Sequence, residues 1–158
     1  STTEMERIKT KILRQIRSET EKNMERYFNE LIWKTDDYTI TLENDYTIEV
    51  SGPGSDGNRI GSLSAGEKQV LALSFMAALS DISGFNAPVL IDTPLGRISS
   101  NPKKDIAQNL PDYLEGTQMT FLMTDEEYTE GVQSMMEHKV VNEYQLVYNN
   151  GTTEVISQ

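Results

Sequence analysis

The residues best suited to phosphate chemistry lie at positions 63–69, where the sequence reads LSAGEKQ. Ser64 is a favourable N-cap residue and Glu67 completes the spacing of a capping box, which predicts that a helix begins here. Because Gly66 carries no side chain, an anion could approach the N–H groups of the first turn, where the helix dipole favours negative charge. The Ser64 hydroxyl and the Lys68 ammonium could also bind the anion. A well-capped helix without a ligand is the simpler interpretation of the same spacing.

A second candidate is Asp92, which ends the apolar run PVLID at positions 88–92. A short continuous apolar run is typical of a central parallel strand. Ligands of α/β folds bind at the carboxyl ends of such strands, and a carboxylate there suits Mg²⁺, directly or through water. The alternative is an Asp that merely caps the following turn.

Composition excludes several classes of site. The chain has 158 residues, the size of one domain, and no cysteine, so disulfides, thiolate metal sites and thiol catalysis are excluded. The single His138 excludes a zinc site that needs two imidazoles, and we expect it to have a surface or structural role. No apolar run is long enough for a membrane span, and the sequence shows no charged stretch followed by the apolar stretch of a signal peptide, so we expect a cytoplasmic protein without a membrane partner.

Charge is unevenly distributed along the chain. The formal net charge is −11, and residues 1–34 carry a net +2, which leaves residues 35–158 strongly acidic. An acidic body should repel nucleic acid by itself at ordinary salt concentrations. We therefore expect contact with DNA only through a larger assembly.

The spacing of apolar residues predicts the elements that must position these groups. Residues 4–33 show apolar positions three and four apart and contain no Gly or Pro, which favours one long helix, either a coiled-coil stem or an ordinary amphipathic helix. The remaining predicted elements are a hairpin at 38–42 and 46–50, a loop at 51–62, a helix at 65–81 that is apolar nearly all round and therefore buried, two buried strands at 88–92 and 119–123, helices at 102–115 and 126–137, and closing strands at 140–141, 144–148 and 153–156.

Strands that alternate with helices in the middle of the chain predict an α/β fold with a mostly parallel central sheet and flanking helices. We divide the chain into a stem at 1–34 and a globular lobe at 35–158. The methionines at 119, 123, 135 and 136 are predicted to fill the core.

The two candidate motifs are more specific as a pair than either is alone. The stretch LSAGEKQ, a helix, and then VLIDTPLGR at 89–97 resemble the signature motif, Walker B strand and D-loop of ABC-type ATPase heads. The similarity covers roughly residues 4–128 and is greatest to the SMC-like family. Within that family, IDTPLGR at 91–97 and FLMTDEE at 121–127 look most like the DndD-type ATPases of bacterial DNA phosphorothioation systems.

The resemblance implies a role for each matching position. Asp92 would be the Walker B carboxylate that acts on Mg²⁺, and Gly96 and Arg97 would lie in the D-loop at a dimer interface. The signature residues would contact the γ-phosphate of ATP held by the opposite head, with Ser64 and Gly66 foremost; these residues are Ser64, Ala65, Gly66, Glu67 and Lys68.

Three positions depart from the usual ABC pattern. Thr93 follows the Walker B Asp where most heads carry a water-polarising Glu, Ser99 replaces a D-loop Asp, and Thr124 stands where the switch His is usual. Thr93 and Thr124 are shared by DndD-like chains. The group that activates water is left open, with the carboxylates at 125–127 as candidates; they could equally form the acidic first turn of a helix.

ATP chemistry also needs a Walker A loop, GxxxxGK[ST], and neither glycine-rich stretch, 52–57 or 61–66, is followed by the required Lys and Ser/Thr. In SMC-like heads that loop belongs to an N-terminal lobe beyond a long coiled coil. We therefore expect this chain to be the C-terminal lobe of a split head. It would be inactive alone and an ATPase once assembled.

The implied partners are the N-terminal lobe, a second head bound through ATP, DNA contacted through the complex, and accessory DNA-processing proteins. Two alternatives to a DndD-like role stay open. One is a head lobe of a double-strand-break repair or SMC protein; the other is a non-hydrolysing architectural domain that kept the fold.

Overall fold

The computed structural model describes residues 1–34, 37–52, 54, 57–84 and 87–158. Four α-helices and six strands follow one another along these ranges, with a short 3₁₀ helix at Ile60–Ser62. The elements are α1 (Thr2–Leu31), β1 (Thr39–Leu42), β2 (Ile48–Ser51), α2 (Ala65–Ser83), β3 (Val89–Asp92), α3 (Ser100–Tyr113), β4 (Met119–Leu122), α4 (Glu130–Met136), β5 (Tyr144–Asn149) and β6 (Thr152–Ser157). The chain is therefore α/β, as predicted.

The long first helix has two halves with different surroundings. Its 30 residues correspond to about 45 Å at the rise of an α-helix. The first half is exposed on all sides, including Met5, Ile8 and Ile12. The second half is part of the core: Met24 and Phe28 are fully buried. The core therefore begins about half-way along α1 and not at its end. The predicted division into a stem and a lobe at residue 34 stays a prediction.

Helix α2 packs along the second half of α1 and forms the centre of the core. Val70 and Ala77 are fully buried, and the buried Ser74 hydroxyl donates to the carbonyl of Val70, which satisfies its polar group inside the helix. The expectation of burial on all sides is only partly met, since Ala72 and Leu79 remain exposed.

The parallel sheet that the sequence predicts consists of two strands, β3 and β4. Successive side chains of a strand point to opposite faces of the sheet, and only one face of this sheet is buried. Ile91 and its neighbours on that face pack into the core, whereas Leu90 is 65% exposed and Leu122 is 42% exposed on the opposite face. The expectation that both strands are buried is therefore wrong for the outer face.

Two further pairs of strands are antiparallel. The predicted hairpin of β1 and β2 is confirmed, and β1 packs against α1. The closing strands β5 and β6 pair over six residues each around the turn at 150–151. Their side chains are largely exposed, and residues 140–141 form no strand. No helix in the described ranges has the length and apolarity that crossing a membrane requires.

Three boundaries correct the sequence prediction. Helix α3 begins at Ser100, so that Pro102 lies within its first turn, where its missing N–H costs nothing. It ends at Tyr113 and not at 115. Helix α4 begins at Glu130 and not at 126, because residues 125–127 form a turn that folds Glu127 back towards Thr124.

Candidate functional site

The predicted capping box at the start of α2 is confirmed. The backbone N–H of Glu67 donates to Ser64 Oγ at 3.2 Å, and the backbone N–H of Ser64 donates to Glu67 Oε2 at 2.6 Å. Ser64, Ala65 and Lys68 are exposed, so this end of the helix faces solvent. The Ser64 hydroxyl accepts the cap bond through a lone pair, and its own proton remains available to donate to an anion.

Glu67 is buried and holds more than the cap. Its Oε1 forms an ion pair with the ammonium of Lys34, three residues beyond the end of α1. Burial alone would raise the pKa of the Glu67 carboxyl, but Lys34 and the bonds with Ser64 outweigh it and hold that pKa below its ordinary value. The hydrogen bond to Glu67 raises the pKa of Lys34. The Glu67 carboxylate is thus engaged within the chain.

Gly66 lies against the segment that follows β3. A Cβ atom placed on it would lie 2.6 Å from the carbonyl oxygen of Arg97 and 3.4 Å from the Trp33 ring. The Gln69 side chain makes the same connection, since its Nε2 donates to the carbonyls of Thr93 and Pro94 at 3.4 and 3.3 Å. The two motifs that sequence spacing singles out are therefore in direct contact. The space beside Gly66 is filled by backbone, so an anion would approach at the exposed Ser64 and Ala65.

Asp92 lies at the carboxyl end of β3, on the same exposed face of the sheet as Leu90 and Leu122. Within the described ranges, no three His, Asp or Glu side chains gather as a ready-made metal site. A single exposed carboxylate fits Mg²⁺ that is shared with nucleotide phosphates, because this ion commonly takes one or two protein carboxylates and keeps its other ligands on phosphate and water.

Thr93, directly after Asp92, has a left-handed backbone with φ of 49°. This conformation is unusual for a β-branched residue and costs on the order of 1–3 kcal/mol. Its N–H donates to the Leu122 carbonyl at 2.8 Å, which holds the residue at the end of the sheet. The strained turn redirects the chain from β3 to Gly96 and Arg97, both of which are exposed.

Glu127, one of the three carboxylates at 125–127 that are candidates for activating water, is only 2% exposed. Its Oε1 accepts the N–H of Leu95 at 2.9 Å, and its Oε2 accepts the N–H and the hydroxyl of Thr124 at 3.1 and 3.2 Å. The spacing Thr-x-x-Glu, the same as that of Ser64 and Glu67, was the signal in the sequence for this arrangement. Asp125 and Glu126 are exposed.

The other predicted site residues are placed as follows. Thr124 follows β4 and Asp92 ends β3; because the two strands are parallel neighbours, both residues lie at the same edge of the sheet. Ser99 precedes α3 as its N-cap residue, without a side-chain cap bond. His138 is exposed, in agreement with the expected surface role.

No family model and no curated protein matches the sequence. Solved structures do. An SMC ATPase, studied for ATP-driven dimerization and DNA-stimulated activation, superposes with a TM-score of 0.68 and 20% identity over 95% of this chain and 89% of the other. The Smc head with coiled coil and joint of Pyrococcus yayanosii superposes with a TM-score of 0.74 and 20% identity, over 98% of this chain and 29% of the other. An Smc head bound to the C-winged-helix domain of ScpA superposes with a TM-score of 0.67 and 21% identity, over 90% of this chain and 43% of the other.

At these identities the likeness concerns the fold. It extends over nearly the whole of this chain, including the long first helix, while the chain spans less than half of the two longer Smc structures. The chain therefore has the fold found in SMC head domains.

Proposed function

We propose that this chain is the C-terminal lobe of an SMC-like ATPase head that binds ATP between two heads and hydrolyses it. The proposal depends on one observation: the start of α2 packs directly on the segment after Asp92, through Gly66 and Gln69. In the proposed head, the start of α2 meets the nucleotide of the opposite head, and Asp92 serves the nucleotide of its own head. The contact would connect the two nucleotide sites.

The exposed groups at the start of α2 suit a triphosphate held by another subunit. Ser64 retains a hydroxyl donor, Lys68 supplies a positive charge, and the helix dipole adds to both. Gly66 would contribute backbone only, and Glu67 would act through the cap that orients Ser64. Gly96 and Arg97 are exposed on the adjoining segment and would meet the second head.

Asp92 would hold Mg²⁺, which would neutralise charge on the phosphates. The N-terminal lobe with its Walker A loop would cover the exposed face of β3 and β4 and place the nucleotide beside Asp92. Thr93 is a poor base at neutral pH, so the group that orients the attacking water would come from elsewhere in the assembled head.

ATP-driven closure of two heads would move the coiled-coil stems, of which the exposed half of α1 would be the end, and alter the grip on DNA. Dimerization driven by ATP and activation by DNA are described for one of the SMC ATPases with this fold. The motif IDTPLGR, with Thr93 and Thr124, favours a DndD-like role in DNA phosphorothioation or restriction, alongside accessory DNA-processing proteins in the cytoplasm.

The test is ATP-dependent dimerization of the assembled head, meaning this chain together with its Walker A lobe. Ser64→Arg should abolish dimerization in a light-scattering assay, because a bulky side chain would occupy the phosphate position. Ser134→Arg, on the exposed side of α4, is the matched control and should dimerize normally. Normal dimerization of Ser64→Arg would contradict the proposal.

An architectural domain without hydrolysis is the second candidate, favoured by Thr93 in place of the usual base. Asp92→Asn separates the two functions. It should abolish turnover by the assembled head if ATP is hydrolysed, and it should leave DNA binding and assembly unchanged if the domain is architectural.

A further inference from the structure

The buried Glu127 connects two segments that leave the same edge of the β3–β4 sheet. One oxygen accepts the backbone N–H of Leu95, after β3, and the other accepts two donors of Thr124, after β4. A carboxylate that is fully desolvated destabilises a protein unless such donors satisfy it. Glu127 therefore has a definite bonding role at the junction of the two segments.

The same geometry makes Glu127 unsuited to activating water. Both oxygens are occupied by donors of the chain, and the side chain is only 2% exposed. Gly96 packs against it as well, since a Cβ atom on that glycine would lie 3.5 Å from the carboxyl carbon. The carboxylate thus has the D-loop segment on one side and Thr124 on the other.

We propose that Glu127 is a positioning residue that couples the segment Thr93–Arg97 to the segment that begins at Thr124, so that the two segments change position together. The functional consequence rests on the proposed function: in the assembled head, this coupling would transmit the state of the nucleotide beside Thr124 to Gly96 and Arg97 at the dimer interface. The carboxylate connects the two segments directly, because it bonds backbone on one side and both backbone and hydroxyl on the other.

The coupling can be measured in the present chain without nucleotide. Glu127→Gln replaces one acceptor oxygen by an NH₂ group, which cannot accept from the opposed N–H donor. Amide hydrogen exchange at Leu95 and Thr124 should become at least about tenfold faster, equivalent to about 1.4 kcal/mol per tenfold change. Glu126→Gln, at the exposed neighbouring position, should leave both rates unchanged. Unchanged rates in Glu127→Gln would overturn the coupling.

A second variant covers the case in which Glu127→Gln fails to fold. Thr124→Val keeps the shape of the side chain and removes only its hydroxyl donor. Exchange at Leu95, whose N–H bonds the other oxygen of the carboxylate, should still accelerate by a few-fold. An effect confined to residues 124–128 would show that the two segments are independent.

The assembled head gives the functional readout. Glu127→Gln should lower kcat and ATP-dependent dimerization about tenfold or more while KM for ATP stays within about twofold, because nucleotide contacts are untouched. A normal kcat together with accelerated exchange would show that the link has no role in turnover. If the wild-type head fails to bind ATP, the proposed function fails, while the exchange experiment still decides whether Glu127 couples the segments.

Discussion

The backbone carbonyl of Arg97 lies where a side chain at Gly66 would be, 2.6 Å from the position of the missing Cβ. This contact brings the start of α2 and the segment after β3 closer together than any other residue at position 66 allows. The glycine is thus required by packing between the first turn of α2 and the segment after β3, a reason that local sequence does not reveal.

Gly66→Ala should destabilise the chain by about 1–3 kcal/mol, because the added methyl group forces the Arg97 backbone to move. In the assembled head it should also weaken ATP-dependent dimerization. Gly61→Ala is the matched control, since a Cβ atom there meets nothing within 4 Å and the residue is exposed. Denaturant unfolding of both variants is the measurement; equal stability of the two would refute the packing argument.

The ion pair of Lys34 and Glu67 should make stability depend on pH. The folded-state pKa of Glu67 lies below its ordinary value of 4.5, so its stabilisation is present above pH 4.5 and is lost as the pH falls through the folded-state pKa. The raised pKa of Lys34 keeps that partner charged throughout this range. Lys34→Met should therefore lower stability at neutral pH by about 1 kcal/mol, a modest value because the Lys34 side chain is 45% exposed.

The difference between wild type and Lys34→Met should shrink as the solution is acidified below pH 4.5. Lys11→Met, on the exposed half of α1, serves as the control and should differ little from wild type at any pH. A constant difference across this range would mean that Lys34 stabilises the chain through its aliphatic stem and not through its charge.

Tyr27 on α1 donates its hydroxyl to the carboxylate of Asp81 on α2. Burial and this hydrogen bond raise the pKa of Tyr27 from 10.0 to about 12. A raised pKa means that the stabilisation is complete below pH 10 and is lost as the pH rises through 12. A double-mutant cycle of Tyr27→Phe and Asp81→Asn should give a coupling energy of about 1 kcal/mol at neutral pH.

Ultraviolet titration provides the independent check on Tyr27. Asp81→Asn should lower the pKa of Tyr27 towards 10, since it removes the acceptor charge that opposes ionisation. Tyr148→Phe is the control and should leave the titration of Tyr27 unchanged, because the Tyr148 ring is 75% exposed and lies on β5. An unchanged titration would assign the whole shift to burial.

Local patterns in the sequence identified most elements, and tertiary contacts explain the errors. The spacing of Ser64 and Glu67 predicts the capping box because both partners lie within one turn of helix. The helix predicted from 126 fails because Glu127 bonds Leu95, which is remote in sequence. The contact of Gly66 with Arg97 is equally remote and could not be read from local spacing.

The parallel pairing of β3 and β4 is predicted correctly, but the expected burial of both strands is wrong for a different reason. An apolar strand predicts burial on two faces, but the described residues of this chain cover only the face that includes Ile91. Leu90 and Leu122 carry the signature of a covered strand and are exposed here. Their apolar character suits the N-terminal lobe that the proposed head requires.

Leu90→Ser should therefore change the stability of this chain by only about 0.5 kcal/mol, because the side chain is already 65% exposed. The same change should weaken assembly with the Walker A lobe at least tenfold, since a polar group would replace an apolar one at the covered face. Leu146→Ser is a matched control: Leu146 is also 65% exposed, but lies on β5. Calorimetric titration of the two lobes distinguishes them. Equal assembly of Leu90→Ser and wild type would mean that the second lobe does not cover this face, and Asp92 on the same face would then lack the nucleotide assigned to it.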